Sequence, residues 1–274
     1  MAGIGMKKIT ENPVKAMMAA GQAAVGGWIT FCSPVVAEVM AQIGWDWIAV
    51  DVQHSPVGWD TIVNCFRAIQ LGGGVPMARI PWNETVWIQR TLDAGAMGLI
   101  IPMINTRADA VQAVSNMRYS TRGQRSYGGS RLRPYVDADW RTWSDANMLC
   151  VVMIETVEAV QNAEEILSVD GVDACFIGPV DLALSMGITL DQIGPGTEHE
   201  ALMQQVLAAG RKVGTPVGKH CNDGAEVKQR IAQGFQFLAL ANDVRFMTKQ
   251  AQDELAIVGA DRTVGKGLKK GELY

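Results

Sequence analysis

Apolar residues along this chain fall into short runs rich in Val, Ile and Met, alternating with longer stretches where apolar positions recur every three or four residues. The first pattern suits strands buried on both faces, the second helices with one buried face. Strands are predicted near Gly27–Phe31, Trp47–Val52, Val75–Ile80, Leu99–Met103, Leu149–Ile154, Ala174–Ile177, Thr215–Gly218 and Phe237–Ala241. Helices are predicted over Pro34–Gln42, Thr61–Gln70, Glu84–Ala94, Arg107–Asn116, Val157–Ser168, His199–Lys212, Ala225–Gln233 and Arg245–Val258. Glycines 44, 95, 171, 210 and 234 follow helical stretches, where a left-handed cap turns the chain into the next strand. Strand and helix thus recur about every 25 to 30 residues, the rhythm of an eight-stranded (β/α)8 TIM barrel. An open doubly wound sheet is the alternative. No linker interrupts the pattern, so residues 1–274 are expected to form one domain.

Two stretches break the rhythm. One is Arg118–Met148, an extended segment between the fourth and fifth strands. The other is the tail after Ala260, where Gly265, Gly267 and Gly271 sit among lysines. A barrel insertion of this size is commonly functional or intersubunit.

Composition narrows the function classes. Of 274 residues 48% are hydrophobic and 19% charged, and 24 basic against 28 acidic residues leave a net charge of −4. That balance disfavours nucleic acid as a partner. The longest apolar runs, such as Ala96–Ile104, are about half of a membrane span. The first 13 residues lack the apolar core of a signal peptide. Five scattered cysteines, 32, 65, 150, 175 and 221, read as reduced core residues of a cytoplasmic protein.

Familiar motifs fail on inspection. Gly214–Lys219 is one residue short of a phosphate loop and is followed by His220. Gly72–Gly74 joins a helix to a strand, the reverse of a dinucleotide fingerprint. What remains is a set of polar residues at strand ends, where barrel active sites form. The second strand ends in Asp51-Val-Gln-His54 and the third in Arg79; the fifth ends in Glu155, and the sixth runs through Gly178 and Pro179 to Asp181. Glu155 and Asp181 come from neighbouring strands. Paired carboxylates without thiol or imidazole suit a hard divalent cation, Mg2+ or Mn2+. Alone, each residue has an ordinary explanation: a helix cap, an ion pair, a structural histidine. Four strand ends on one face together point to a site.

The stretches Trp45–Pro56 (WDWIAVDVQHSP), Leu92–Met103 (LDAGAMGLIIPM), Ile154–Ala159 (IETVEA) and Val169–Leu182 (VDGVDACFIGPVDL) resemble the HpcH/HpaI-type class II aldolases of the phosphoenolpyruvate/pyruvate barrel superfamily. The resemblance runs from about Gly21 to Asp243. It implies a carbon–carbon lyase that cleaves a 4-hydroxy-2-oxo acid to pyruvate and an aldehyde through a pyruvate enolate. It also implies a divalent cation (Mg2+, Mn2+ or Co2+) on Glu155 and Asp181, a substrate-clamping Arg79, and an acid–base His54 supported by Asp51. Gly178, Pro179 and Met153 are implied substrate contacts, and a hexamer, a trimer of dimers with an exchanged C-terminal helix, is the implied assembly. The family often has Asp-Gly-Glu-His where this chain has Asp51-Val-Gln-His54. Several members carry glutamine where Met153 stands, and a thioether donates no hydrogen bond.

Between Ala110 and Val136 there is no acidic residue, whereas Arg118, Arg122, Arg125, Arg131 and Arg133 occur. This segment can hold the far carboxylate or polyol of the aldehyde half, with Arg125 as a contact, or it can form ordinary ion pairs. Competing readings are an acyl-CoA lyase, a Schiff-base aldolase using Lys219 near the seventh strand's end, and a non-catalytic ligand-binding barrel.

Overall fold

In a computed structural model, which describes residues 8–258, eight parallel strands close into a barrel in sequence order. The strands are β1 Ala24–Ile29, β2 Trp47–Asp51, β3 Pro76–Arg79, β4 Gly98–Ile101, β5 Leu149–Ile154, β6 Ala174–Ile177, β7 Val217–Cys221 and β8 Phe237–Leu240. The helices are α1 Pro13–Ala19, α2 Pro34–Ala41, α3 Trp59–Leu71, α4 Thr85–Ala94, α5 Arg107–Met117, α6 Trp140–Asn147, α7 Val157–Gln161, α8 Ala163–Leu167, α9 Pro179–Ser185, α10 Glu198–Val213, α11 Gly224–Ala232 and α12 Asp243–Ile257. The open-sheet alternative is thereby excluded. The tail after Ala260 lies outside the described residues. Among the described residues, no helix is long and apolar enough to cross a membrane.

Alternation along each strand sends every second side chain into the barrel. Trp47 stacks on Phe237 at 4.4 Å between ring centroids, and Trp28 on Phe176 at 5.7 Å. Edge contacts join the two pairs. These four rings plug the interior, and small residues make room for them. A Cβ on Gly26 would fall inside the Trp47 ring, and one on Gly218 would strike the Phe237 backbone. The barrel is therefore a packed core whose Trp28–Phe176 layer floors the cavity at the carboxyl end of the strands.

Helix starts follow local chemistry. Ser33, Thr106 and Thr156 each accept a backbone N–H in the first turn of the helix that follows, and Thr106 forms a capping box with Asp109. Gly95 ends α4 in the left-handed region (φ 116°), as the sequence predicts. Gly210 does not cap. It sits inside α10, where a side chain would collide with Val217, and Gly214 (φ 79°) is the cap. The expected single helix over Val157–Ser168 breaks at Asn162, whose side-chain amide donates to the Asn105 carbonyl at 2.9 Å. The Arg118–Met148 segment contains α6, with Trp140 and Trp143 buried and stacked at 5.6 Å. All five cysteines are buried and free.

The packing around the plug generates a stability test. Gly26→Ala is expected to lower the unfolding free energy by about 1–3 kcal/mol in urea titrations, because the Trp47 ring has nowhere to move. Gly128→Ala, in open space, is expected to stay within about 0.5 kcal/mol of the parent.

Candidate active site

A cavity of about 290 Å³ opens at the carboxyl end of the barrel, lined by Asp51, His54, Arg79, Met153, Gly178, Pro179 and Asp181 from the sequence-derived set. Trp28, Thr30, Phe176, Val180, His220 and Asn242 complete it. Glu155 is buried beneath this lining, with Asp181 close enough to perturb it. Arg125 is the one residue of the set that the fold places elsewhere.

The β2–β3 register sets Asp51 beside Arg79, and alternation points both inward. Asp51 takes the guanidinium in a two-pronged pair, Nε to Oδ1 at 3.0 Å and Nη2 to Oδ2 at 2.6 Å. The guanidinium also lies over the Trp28 ring, 5.0 Å from its centroid. Arg79 is thus held from two sides. This corrects the expectation that Asp51 supports the His54 imidazole. Asp51 Oδ1 accepts instead from the backbone N–H groups of Gln53 (3.2 Å) and His54 (3.4 Å), so it fixes the loop that carries His54 and not the ring. A carboxylate this buried pairs most strongly with the neighbouring permanent cation.

The second half of the site comes from β5 and β6. Their register pairs Met153 with Phe176 and Ile154 with Ile177, so Glu155 follows beside Gly178. A Cβ at Gly178 would collide with the Glu155 carboxylate, so this position admits no side chain. Met103 holds the same carboxylate, donating its N–H to Oε1 at 2.8 Å from a left-handed backbone (φ 56°). Strained non-glycine conformations of this kind gather at functional sites. Asp181 sits in the first turn of α9, one turn past the end of β6. Burial, chiefly, pushes the Glu155 carboxyl up to about 7; Asp181 adds to the rise, while the Met103 N–H and Arg79 oppose it.

The donor set fits a hard divalent cation. Glu155 and Asp181 are adjacent carboxylates, and a cation between them would offset the burial and mutual repulsion of the pair. Among the described residues, no group of three or more His, Cys, Asp or Glu converges. Two carboxylates leave the remaining positions to water and substrate, which is how Mg2+ is commonly held.

Strand β7 corrects another expectation. It runs two to three residues later than predicted, so Lys219 lies inside it and faces the helix layer, paired with Glu226 of α11. Lys219 is therefore turned away from the cavity, and among the described residues no lysine lines it for a Schiff base. Its neighbour His220 faces inward, edge-on to Trp28 at 6.0 Å, with Nε2–H donating to the Ala241 carbonyl at 3.2 Å. Sequence reasoning missed His220 by ending the strand early; alternation through Lys219 would have found it. Burial, chiefly, holds the His220 imidazole down to about 4, with Arg79 and Lys219 acting in the same direction.

Three arginines of the basic segment, Arg118, Arg125 and Arg131, are spent on structure, whereas Arg122 and Arg133 are exposed. Arg125 is buried, reaching Asp93 Oδ1 at 2.7 Å and Ser144 Oγ at 3.0 Å while packing on Tyr119. Arg118 bonds the Met148 carbonyl and Asp173, and Arg131 the Ala94 carbonyl and Gln70. Their partners lie outside the acid-free window, in neighbouring elements, and that is why the window reads as unpaired. Arg125 is not an aldehyde contact of this cavity.

The His220 shift has a measurable sign. The unfolded imidazole takes a proton near pH 6.5 and the folded one only near 4, so the folded state loses stability as pH falls through this window. His220→Gln is expected to flatten that acid limb by about 3 kcal/mol between pH 7 and 4 in urea denaturation.

The HpcH/HpaI aldolase/citrate lyase family model matches residues 25–249. A hydroxypyruvate/pyruvate aldolase of Rhizorhabdus wittichii is 35% identical over 245 residues, covering 89% of this chain and 98% of that protein. A 4-hydroxy-2-oxo-heptane-1,7-dioate aldolase of Escherichia coli is 33% identical over 262 residues, covering 93% and 98%. The crystal structure of an HpcH/HpaI aldolase/citrate lyase family protein from Burkholderia cenocepacia superposes with a TM-score of 0.85 at 31% identity, covering 91% of this chain and all of that one. These aldolases are carbon–carbon lyases, and the chain belongs to their family, HpcH/HpaI aldolase/citrate lyase.

Proposed function

We propose that this chain is a metal-dependent class II aldolase that reversibly cleaves a 4-hydroxy-2-oxo acid into pyruvate and an aldehyde. The observation that carries the reading is the pairing, around one small cavity, of an Arg79 fork fixed by Asp51 with the Glu155–Asp181 carboxylates. Glu155 and Asp181 would hold the cation, Mg2+ or Mn2+, which when bound supplies a Lewis acid to the oxygens of the 2-oxo acid.

The chain's own groups account for the rest. Arg79 has guanidinium N–H groups beyond those given to Asp51, and these face the cavity where negative charge develops on the keto oxygen. Because the guanidinium is already anchored, it reorganises little as that charge forms. His54 takes the C4 hydroxyl proton. The C3–C4 electron pair then moves to the pyruvate half as its enolate, the carbonyl of the aldehyde forms on C4, and a proton delivered to C3 completes pyruvate. Trp28, Phe176 and Met153 give the cavity apolar walls that limit water near the enolate. Exposed Phe246, Met247, Leu255 and Ile257 along α12 support a homo-oligomer, a trimer of dimers if the family resemblance extends to assembly.

Deuterium exchange into the pyruvate methyl group, followed by NMR, tests this reading without an aldehyde. Exchange that requires Mg2+ or Mn2+ and stops with a chelator is expected. Exchange that survives the chelator contradicts the metal dependence, and no exchange under either condition contradicts the aldolase reading. Arg79→Lys loses the planar fork and is expected to lower turnover by about 100-fold or more with the melting temperature nearly unchanged. Near-normal turnover in that variant would remove Arg79 from the mechanism.

A further inference from the structure

The proposed reaction uses the β2–β3 and β5–β6 sides of the cavity and leaves a third side without a task. His220 of β7, Asn242 just past β8 and Thr30 just past β1 all line the cavity. Strands β7, β8 and β1 are consecutive in the closed barrel, so the three side chains form one wall.

Each member of this wall is fixed, and each keeps a hydrogen-bonding function to spare. The Ala241 carbonyl can only accept, so His220 Nε2 carries the proton and Nδ1 presents a lone pair. Burial keeps the ring neutral well below its ordinary range, so that lone pair persists at working pH. Asn242 Oδ1 caps α12 by accepting from Arg245 N–H at 2.8 Å, which leaves its amide N–H groups. The Thr30 backbone is tied down, its N–H donating to Asp243 Oδ1 at 2.9 Å and its carbonyl accepting from Ser55 Oγ at 2.7 Å. Its hydroxyl, like His220 Nδ1 and the Asn242 amide N–H groups, has no partner among the described residues.

The chemistry of this wall discriminates among aldehydes. It offers a neutral acceptor, a neutral donor and a hydroxyl, but no cation. Lys219 next door faces the helix layer against Glu226, and the buried arginines of the Arg118–Met148 segment are committed to their own partners. An aldehyde ending in a carboxylate would find no counter-charge among these three side chains, and Arg79, whose charge reaches His220, is engaged by Asp51 and, in the proposed reaction, by the 2-oxo acid. A hydroxyl group, which both donates and accepts, matches His220 Nδ1 together with the Asn242 amide. The cavity, at about 290 Å³, lies at the small end of ligand sites, so pyruvate leaves room only for a short partner.

We propose that the His220–Asn242–Thr30 wall receives the hydroxyl of a short 2-hydroxyaldehyde, with His220 as the principal selecting residue. This deepens the aldolase reading and rests on it. His220 acts in the choice of aldehyde, and neither the cation nor proton transfer at C4 depends on it.

The test compares initial rates of aldol addition to pyruvate for three aldehydes: glycolaldehyde, the isosteric propanal, and succinic semialdehyde. The parent enzyme is expected to favour glycolaldehyde over propanal in kcat/KM by roughly 10- to 100-fold, the consequence of leaving polar groups unpaired against the methyl. His220→Leu is expected to bring that ratio close to one, mainly through KM for glycolaldehyde, and His220→Gln, which restores an acceptor, to recover part of it. The ratio is internal to each variant, so poor folding lowers both rates and does not imitate the effect. A parent enzyme that prefers succinic semialdehyde, or an unchanged ratio in His220→Leu, overturns the proposal. Methyl exchange of pyruvate without addition of glycolaldehyde overturns the substrate class alone. Absence of exchange overturns the aldolase reading and this inference with it.

Discussion

The site depends on one buried ion pair. Asp51 and Arg79 are neighbours across the β2–β3 ladder, both pointing into the barrel, and neither can be there alone. An unpaired arginine against the Trp28 ring, or an unpaired carboxylate beside it, would cost about 3–5 kcal/mol. Because the two are satisfied by each other, Arg79 stands as a rigid fork in the cavity, and the same carboxylate anchors the backbone that delivers His54. In the proposed reaction, positioning, charge stabilisation and the placement of the base would all rest on this one aspartate.

The opposite side of the cavity is built by a comparable economy of space. Gly178 exists so that Glu155 can lie against the start of α9, and Met103 adopts a left-handed backbone that aims its N–H at that carboxylate. Beneath both halves, the Trp28–Phe176 and Trp47–Phe237 pairs fill the barrel and force glycine at positions 26 and 218. The floor is therefore stiff. Side chains that stand on it, Arg79 and His220 among them, gain orientation from the packing below.

Much of this was legible in the sequence, and the failures are instructive. Strands and helices announced themselves through periodicity because most of the barrel's strands are apolar on both faces; β5 and β6 were located to the residue. Strand β7 was misplaced because it carries Lys219 and His220, one turned to an ion pair in the helix layer and the other to the cavity, and a polar pair reads as a strand's end. The strand-end residues Glu155, Asp181, Arg79 and His54 could be named from position alone. The partner of Asp51 could not, since it depends on inter-strand register. The arginines of the 118–133 window were over-read for a similar reason. Asp93 and Asp173, which bind Arg125 and Arg118, lie outside the window, and only the fold brings them together.

The central claim is that Arg79 and the Glu155–Asp181 pair address the same 2-oxo acid. Diffraction from a crystal equilibrated with Mn2+ and oxalate, a flat dianion shaped like the pyruvate enolate, tests it most directly. The account predicts one anomalous peak between Glu155 and Asp181, with oxalate oxygens on the cation and within hydrogen-bond distance of the Arg79 guanidinium. Mn2+ bound elsewhere, or oxalate held without contact to Arg79, would contradict it.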